Sequence, residues 1–329
     1  MTVTAHPSTS AVRRPPDTLT LTVAGIDEPA PDIRSFTLTA PDGAGLPGFV
    51  PGSHLPIRTG AGTVNAYSLT GDGIAPNEYT VSVLRVTGGA GGSRWLHERV
   101  AVGDELTVEI PRSAFAPIAA ATRHLLIAGG IGVTPILSHL RAAHRWGRPV
   151  QVMYAFGEGR AAHLHHIAEL AGPAAEFFDD RAEFTARLAR TLVEQPIGTH
   201  LYVCGPGPMI DHVVESARAA GWPPSRIHFE RFGVGALDPG EPFTVALTES
   251  GARVEVPSGV SLLEALEENG VEVPNLCRQG VCGQCRIPLT GGTPVHRDLY
   301  LSDDEKAAGT AIMPCVSRAD RHRTLEVPL

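Results

Sequence analysis

From Leu19 onward the apolar residues first recur at every second position, in the runs TLTLTVAGI, IRSFTLTA, HLPIRT, YTVSVLRV and DELTVEI. A period of two is that of strands buried on one face. Turn residues separate the runs at short intervals, so residues 17–117 are predicted to form an antiparallel barrel or sandwich. The texture then changes. RHLLIAGG is a continuous apolar run that passes through glycines into TPILSHLRAAHRWG, a helical pattern with Pro135 in its first turn. PVQVMYAF and THLYVCGPG are further apolar strands, and the helical stretch MIDHVVESARAAG follows the second. Strands alternating with helices imply a parallel sheet covered on both faces, here over residues 118–233. The glycine- and proline-rich segment 234–243 reads as a linker, residues 1–16 as a mobile Ser/Pro/Arg-rich tail, and residues 244–329 as a third, small domain.

Composition narrows what such a chain does. At 329 residues, 43% hydrophobic and 19% charged, it can bury ordinary cores in two or three domains. It has no apolar run of membrane-spanning length and no apolar leader in its first residues, so no membrane association and a cytoplasmic location are expected. The net charge of −8 argues against nucleic-acid binding.

Cysteine usage changes the picture most. Of the 5 cysteines, four crowd the C-terminal domain: Cys277, Cys282 and Cys285 in NLCRQGVCGQCRIPL, and Cys315 in IMPCVSRA. The spacing C-x4-C-x2-C followed by a distant fourth cysteine is that of the plant-type ferredoxins, whose 2Fe-2S cluster is held by four thiolates. Gly280 and Gly283, between the ligands, let the backbone bend closely around an inorganic core. A structural zinc site is the rival reading, although such sites usually pair two C-x2-C knuckles, and here the fourth cysteine has no near partner.

In the middle domain, AGGIGVTP joins a strand to a helix through Gly129, Gly130 and Gly132, a turn at which a pyrophosphate can approach backbone amides. It is not a strict G-x-G-x-x-G. A buried core cysteine is the plain alternative for Cys204 in VCGPGPMI. GGAGGSRWLHERV places Gly91, Gly92 and Ser93 just before a helical segment, where amides bind phosphate.

The order of these motifs resembles the phthalate dioxygenase reductase family, and NAYSL and HRDLYLSDDE are similar to segments of its carnitine-type members. The resemblance covers nearly the whole chain from about Leu19. It implies a multidomain fold: an antiparallel β-barrel flavin domain, an α/β parallel-sheet nucleotide domain and an α+β plant-type ferredoxin domain. Asn65, Ala66, Tyr67 and Ser68 match the family's R-x-Y-S-L motif, with Tyr67 against the flavin ring and the Ser68 hydroxyl near N5. Ser82, Val83 and Leu84 on the next strand, and Thr134 and Phe232 from the nucleotide domain, would line the same cofactor. Cys204, Gly205, Pro206 and Met209 resemble the C-G-P segment bordering the nicotinamide, which makes Ser68 and Cys204 the residues nearest hydride transfer. Asn65 departs from the family's arginine and lacks its charged fork for a flavin phosphate.

The resemblance implies FMN, with FAD as the alternative, a 2Fe-2S cluster and NADH. It implies that electrons leave singly through the cluster to the terminal oxygenase component of a Rieske-type, non-haem iron system. A cytochrome P450 is the alternative acceptor, and a non-catalytic ferredoxin-like docking module is the alternative of another class. Glu158, after the strand PVQVMYAF, favours NADH over NADPH, against the counterweight of Arg160. The segment 244–329 has 12 Asp/Glu and 8 Lys/Arg, a net of −4, and LSDDEK is expected to edge the cluster. HLHHIAEL invites a metal reading for His163, His165 and His166, but a solvated helix surface is the expectation. His54 and His296 are expected to be structural.

Overall fold

The computed structural model describes residues 18–60, 62–87, 91–113, 115–232, 240–275, 280, 283–298, 300–320 and 323–329. The expected N-terminal tail and most of the expected linker lie outside them.

The alternating segments form one antiparallel sheet of seven strands: β1 (Thr18–Ala30), β2 (Ile33–Thr39), β3 (Ser53–Arg58), β4 (Val64–Ser68), β5 (Glu78–Leu84), β6 (Glu105–Glu109) and the short β7 (Arg112–Ser113). Their order is β4-β3-β6-β1-β2-β5, with β7 on β3. A bridge between Leu69 and Val81 and the bond from the Thr70 amide to the Thr80 carbonyl (3.0 Å) join the two ends, so the sheet closes and both edges disappear. The inward set, including Val23, Phe36, Leu55, Ile57, Val81 and Val108, is wholly buried. Helix α1 (Gly92–Arg99) lies against the barrel through Leu96.

The second sheet is wholly parallel: β8 (Arg123–Gly129), β9 (Val150–Ala155), β10 (Ala175–Phe178), β11 (Thr199–Gly205) and β12 (Ile227–Arg231), in the order β10-β9-β8-β11-β12. Helices α2 (Val133–Arg145) and α3 (Leu164–Ala171) cover one face; α4 (Arg181–Val193) and α5 (Gly207–Ala219) cover the other. The strands are apolar almost throughout because both of their faces are covered. Asp180 caps α4, its carboxylate accepting from the Glu183 amide at 2.8 Å.

The C-terminal segment contains β13 (Phe243–Leu247), paired antiparallel with β14 (Arg253–Val256) and parallel with the last strand, Thr324–Val327. Its two short helices, α6 (Leu262–Glu268) and α7 (Asp303–Ala308), both begin with capping boxes, Ser261 with Glu264 and Ser302 with Glu305. Among the described residues no helix is long and apolar enough to cross a membrane.

A column of aromatic rings packs between the parallel sheet and the chain entering it. Tyr202 stacks on His228 at 4.6 Å, while His139, His124 and Phe115 surround it at 4.8–5.6 Å. The Tyr202 hydroxyl accepts from the Ile118 amide at 2.7 Å, and His139 Nε2 bonds the Phe115 carbonyl at 2.7 Å. These contacts pin the crossover from barrel to sheet. Burial pushes His139 and His228 down to about 3, so both stay neutral in the fold. The unfolded chain takes up protons on them below pH 6.5 that the fold does not, so their contribution is full above that pH and drains as pH falls toward 3. Below pH 6.5 the stability should fall by on the order of 1 kcal/mol per pH unit per histidine, the melting temperature should fall with it down to pH 4.5, and His228→Phe should flatten that slope in thermal melts.

Candidate functional site

The glycine turn and the C-G-P segment, some 75 positions apart in sequence, meet with almost no space between their backbones. A Cβ on Gly132 would lie 2.3 Å from the Cys204 carbonyl oxygen. One on Gly129 would lie 2.4 Å from Met209 Sδ and 2.8 Å from Pro206 Cδ, and one on Gly205 3.0 Å from Gly129 Cα. Gly130 follows with φ +52. The turn is thus pressed onto the ends of β8 and β11, with α2 and α5 both starting there. Helix N-termini side by side with bare amides suit a pyrophosphate. Thr134 is buried in the first turn of α2 and donates to the Ile131 carbonyl at 3.0 Å.

Cys204 is wholly buried, and burial together with the neighbouring Glu230 pushes its thiol well up. It stands in register with Glu230 on β12. Glu230 was not singled out from sequence, although FERFG contains it two positions before Phe232. Burial alone pushes this carboxyl up to about 8, and its Oε2 has no hydrogen-bond partner among the described residues. The pair can therefore stay uncharged near neutral pH, giving the wall beside the turn a proton and no net charge. Phe232, just past β12, is 39% exposed.

Across the junction lies β4. Asn65, Ala66, Tyr67 and Ser68 occupy it, with Ser68 buried and Tyr67 half-buried. The Tyr67 hydroxyl is buried without a partner among the described residues, and burial pushes it up to about 12. A buried phenol without a partner among the described residues fits a site where a ring with polar edge atoms would supply one. At the start of α1, Gly91 has φ +84, and a Cβ on Gly92 would lie 2.5 Å from Asn65 Oδ1. Asn65 therefore stands at the phosphate turn, its Oδ1 accepting from Thr63 Oγ1 at 2.7 Å. Ser93 Oγ accepts from the Val86 amide at 3.2 Å. Arg85, a candidate to replace the missing arginine, is engaged with Asp32 instead, whereas Arg94 Nη2 lies 3.7 Å from the Gly91 Cβ position. On β5, Val83 is wholly buried, Leu84 is 37% exposed, and the Ser82 hydroxyl already bonds Ser35 Oγ at 2.7 Å.

The two halves are held together by the polar side of α2. Ser138 Oγ donates to the Gly71 carbonyl at 2.6 Å, Arg141 Nη1 to the Thr70 carbonyl at 2.9 Å, and Arg145 pairs with Asp72 at 2.7 Å. These three residues grip the loop that leaves NAYSLT, and sequence reading missed them because their partners lie about 70 positions away.

Around the expected cluster, Cys285 and Cys315 are buried with their sulfurs 3.2 Å apart, while Cys277 and Cys282 lie outside the described residues. Gly280 and Gly283 have φ +72 and +77. A Cβ on Gly280 would lie 2.5 Å from Val316 Cγ2, and one on Gly283 2.2 Å from the Tyr300 ring. Gly280 is therefore pressed against the segment that brings Cys315, an approach that would suit a four-thiolate cluster.

The histidine expectation needs a correction. His163 does not sit on a solvated helix face: it precedes α3 in a left-handed conformation (φ 58), and its Nε2 is 2.8 Å from Ser82 Oγ on the barrel. Its ring stacks on His166 at 5.8 Å, while His165 and His166 are exposed as expected. His54, on β3, is held down to about 4 by burial and Arg112; His296 lies 3.4 Å from the buried Asp298.

Residues 106–227 match the family described as dimethylamine monooxygenase subunit DmmA-like, N-terminal domain, and residues 245–320 match the 2Fe-2S iron-sulfur cluster binding domain. The heme-dependent oxidative N-demethylase beta subunit of Ectopseudomonas mendocina is 41% identical over 91% of this chain and 96% of its own length. The carnitine monooxygenase reductase subunit of Acinetobacter baumannii is 36% identical over 90% of this chain and 94% of its own. The solved phthalate dioxygenase reductase, described as a modular structure for electron transfer from pyridine nucleotides to [2Fe-2S], superposes with a TM-score of 0.61 at 35% identity, over 95% of this chain and 98% of that one. The chain belongs to the phthalate dioxygenase reductase family. Its multidomain architecture, flavin and pyridine-nucleotide machinery and C-terminal 2Fe-2S ferredoxin domain are those the motifs implied.

The Gly132–Cys204 approach is where a minimal change should do most harm. Gly132→Ala puts a methyl into a backbone carbonyl, so at least one strand end must move. It should cost about 1–3 kcal/mol, as overpacking does, and lose pyridine-nucleotide binding measured by calorimetry, whereas Gly221→Ala, open around its Cβ but strained by its φ of +84, should cost about 1–2 kcal/mol and keep binding.

Proposed function

We propose that this protein is the NADH-dependent reductase component of an oxygenase system, taking electrons from NADH through FMN and a 2Fe-2S cluster to a terminal oxygenase. The observation that carries the reading is the convergence of three sites along one chain: the bare turn at Gly129–Gly132 against Cys204–Met209, the Tyr67 and Gly91–Gly92 side of the barrel, and the Cys285–Cys315 pair. Bound flavin supplies the conversion between a two-electron hydride donor and a one-electron carrier. The chain's own residues do the rest. Gly129, Gly130 and Gly132 offer amides to the pyrophosphate, and Gly205, Pro206 and Met209 bound the nicotinamide. Tyr67 and Phe232 flank the flavin ring, with Ser68 directed to its reacting edge. Ser82, Val83, Leu84 and Thr134 complete the cradle, and Ser93 with Gly91 and Gly92 takes the phosphate. Cys277, Cys282, Cys285 and Cys315 hold the cluster. Domain boundaries at residues 117, 233 and 244 separate the three tasks.

Glu158 stands exposed in the loop after β9, where a carboxylate favours the free ribose hydroxyls of NADH. The short GAGGS turn suits the terminal phosphate of FMN. Both readings are tested on one anaerobic preparation. Its spectrum should combine flavin and iron-sulfur bands, NADH should bleach both at least tenfold more efficiently than NADPH, and chromatography of the extract should return FMN. NADPH performing as well, or FAD in the extract, overturns the corresponding assignment. A spectrum lacking both bands leaves a docking module instead of an enzyme.

The partner we propose is a Rieske-type, non-haem iron oxygenase, the reading supported by the carnitine-type segments and the carnitine monooxygenase reductase relative. A haem acceptor is the second reading, favoured by the 41% identical N-demethylase subunit. The dimethylamine monooxygenase and N-demethylase names suggest a methylated amine as the system's substrate. Reduction of purified Rieske and haem oxygenases from the same source by this protein and NADH should favour the Rieske component and slow as salt rises, because the ferredoxin segment carries a net −4 from 12 acidic and 8 basic residues. Coupling to the haem protein alone reverses the choice.

A further inference from the structure

The loop between β9 and α3 is tied at its α3 end through two adjacent residues, Ala162 and His163. On one side the Tyr154 hydroxyl lies 3.1 Å from the Ala162 carbonyl and 3.3 Å from the Gly130 carbonyl, so one phenol spans the loop and the glycine turn. On the other side His163 Nε2 meets Ser82 Oγ at 2.8 Å across 81 positions of sequence, and Ser82 passes the contact on to Ser35. Ahead of the two ties, Glu158 and Arg160 stand exposed in the loop.

His163 is held in a conformation that side chains rarely adopt, φ +58, which persists only where surrounding contacts over-determine it. The ring is sandwiched between His166 and the barrel, and burial, with His166 and Arg141 nearby, holds it down to about 4 and thus neutral. A neutral ring bonded to a buried hydroxyl needs no counter-ion, so the contact persists at ordinary pH.

We propose that His163 is a positioning residue: by latching the β9–α3 loop onto strand β5 of the barrel, it fixes the part of the nucleotide site that receives the adenosine ribose at a set distance from the flavin side. This rests on the pyridine-nucleotide reading given above. The glycine turn alone holds the pyrophosphate, but a loop that contacts the ribose and is not already fixed must be ordered when the nucleotide binds, and that ordering is taken from the affinity.

The test uses the full holoprotein. His163→Gly removes the ring and relieves the backbone strain; His163→Ala removes the ring and keeps the strain. Both should raise KM for NADH about fivefold, the worth of one neutral hydrogen bond, with kcat falling less than twofold and flavin occupancy unchanged. Amide hydrogen exchange over residues 157–163 should accelerate in both without nucleotide. Unaltered exchange in His163→Gly overturns the latch, and faster exchange with wild-type KM overturns its role toward the nucleotide. A melting temperature restored by glycine together with a wild-type KM identifies a purely structural residue. Wild-type protein that NADH does not reduce sinks the nucleotide reading and this role with it, and that outcome is distinct from all of the others.

Discussion

The structure depends on how closely two backbones approach at Gly132 and Cys204. With 2.3 Å between a would-be Cβ and a carbonyl oxygen, the start of α2 is fixed against the end of β11 without any side chain intervening. Because α2 begins there, its direction is fixed, and its polar side meets the barrel loop Thr70–Asp72 at Ser138, Arg141 and Arg145. Two separately built cores thereby become one body with the glycine turn facing the Tyr67 side of the barrel. Arg141 loses hydration in that junction, and burial lowers its pKa, but the Thr70 carbonyl and hydroxyl take its protons at 2.9 and 3.3 Å. A desolvated cation with partners costs little; without them it would cost several kcal/mol.

The ferredoxin segment is joined differently. The ion pair between it and the barrel, Arg112 with Glu264, is 3.8 Å long and largely exposed, a geometry worth little. Between α5 and α7 a cavity of about 620 Å³ is lined by Asp211, Arg218, Asp303 and Lys306 together with Val214, Phe229 and Leu301, so the two faces stand apart there instead of closing over one apolar core. Hydride transfer requires fixed geometry and is served by the rigid junction. An outgoing single electron tolerates a looser one.

Much of the fold was legible along the chain. Alternation at period two marked the barrel strands, and the shift to apolar runs separated by helical patterns marked the parallel sheet, because these periods follow from which faces are buried. The cysteine spacing and the glycine turn were legible for another reason: they serve chemistry that tolerates few alternatives. HLHHIAEL was misread because helical periodicity assumes His163 is inside the helix. Its left-handed backbone and its bond to Ser82 depend on a strand 81 positions earlier. Glu230 was passed over because a single carboxylate among apolar residues carries no signal until the strand beside it is known to be β11.

By itself, then, the sequence determined the kinds of elements, their order and the presence of a 2Fe-2S ferredoxin domain, since these rest on local periodicity and short spacings. The tertiary structure decided which glycine meets which carbonyl, that Arg85 is engaged with Asp32 while Asn65 faces Gly92, that Cys204 and Glu230 are buried in register on neighbouring strands, and that α2 grips the barrel. Each of these is a contact between segments far apart along the chain. Such contacts are fixed by packing geometry and by the desolvation of particular atoms, and neither quantity exists until the sheets have closed.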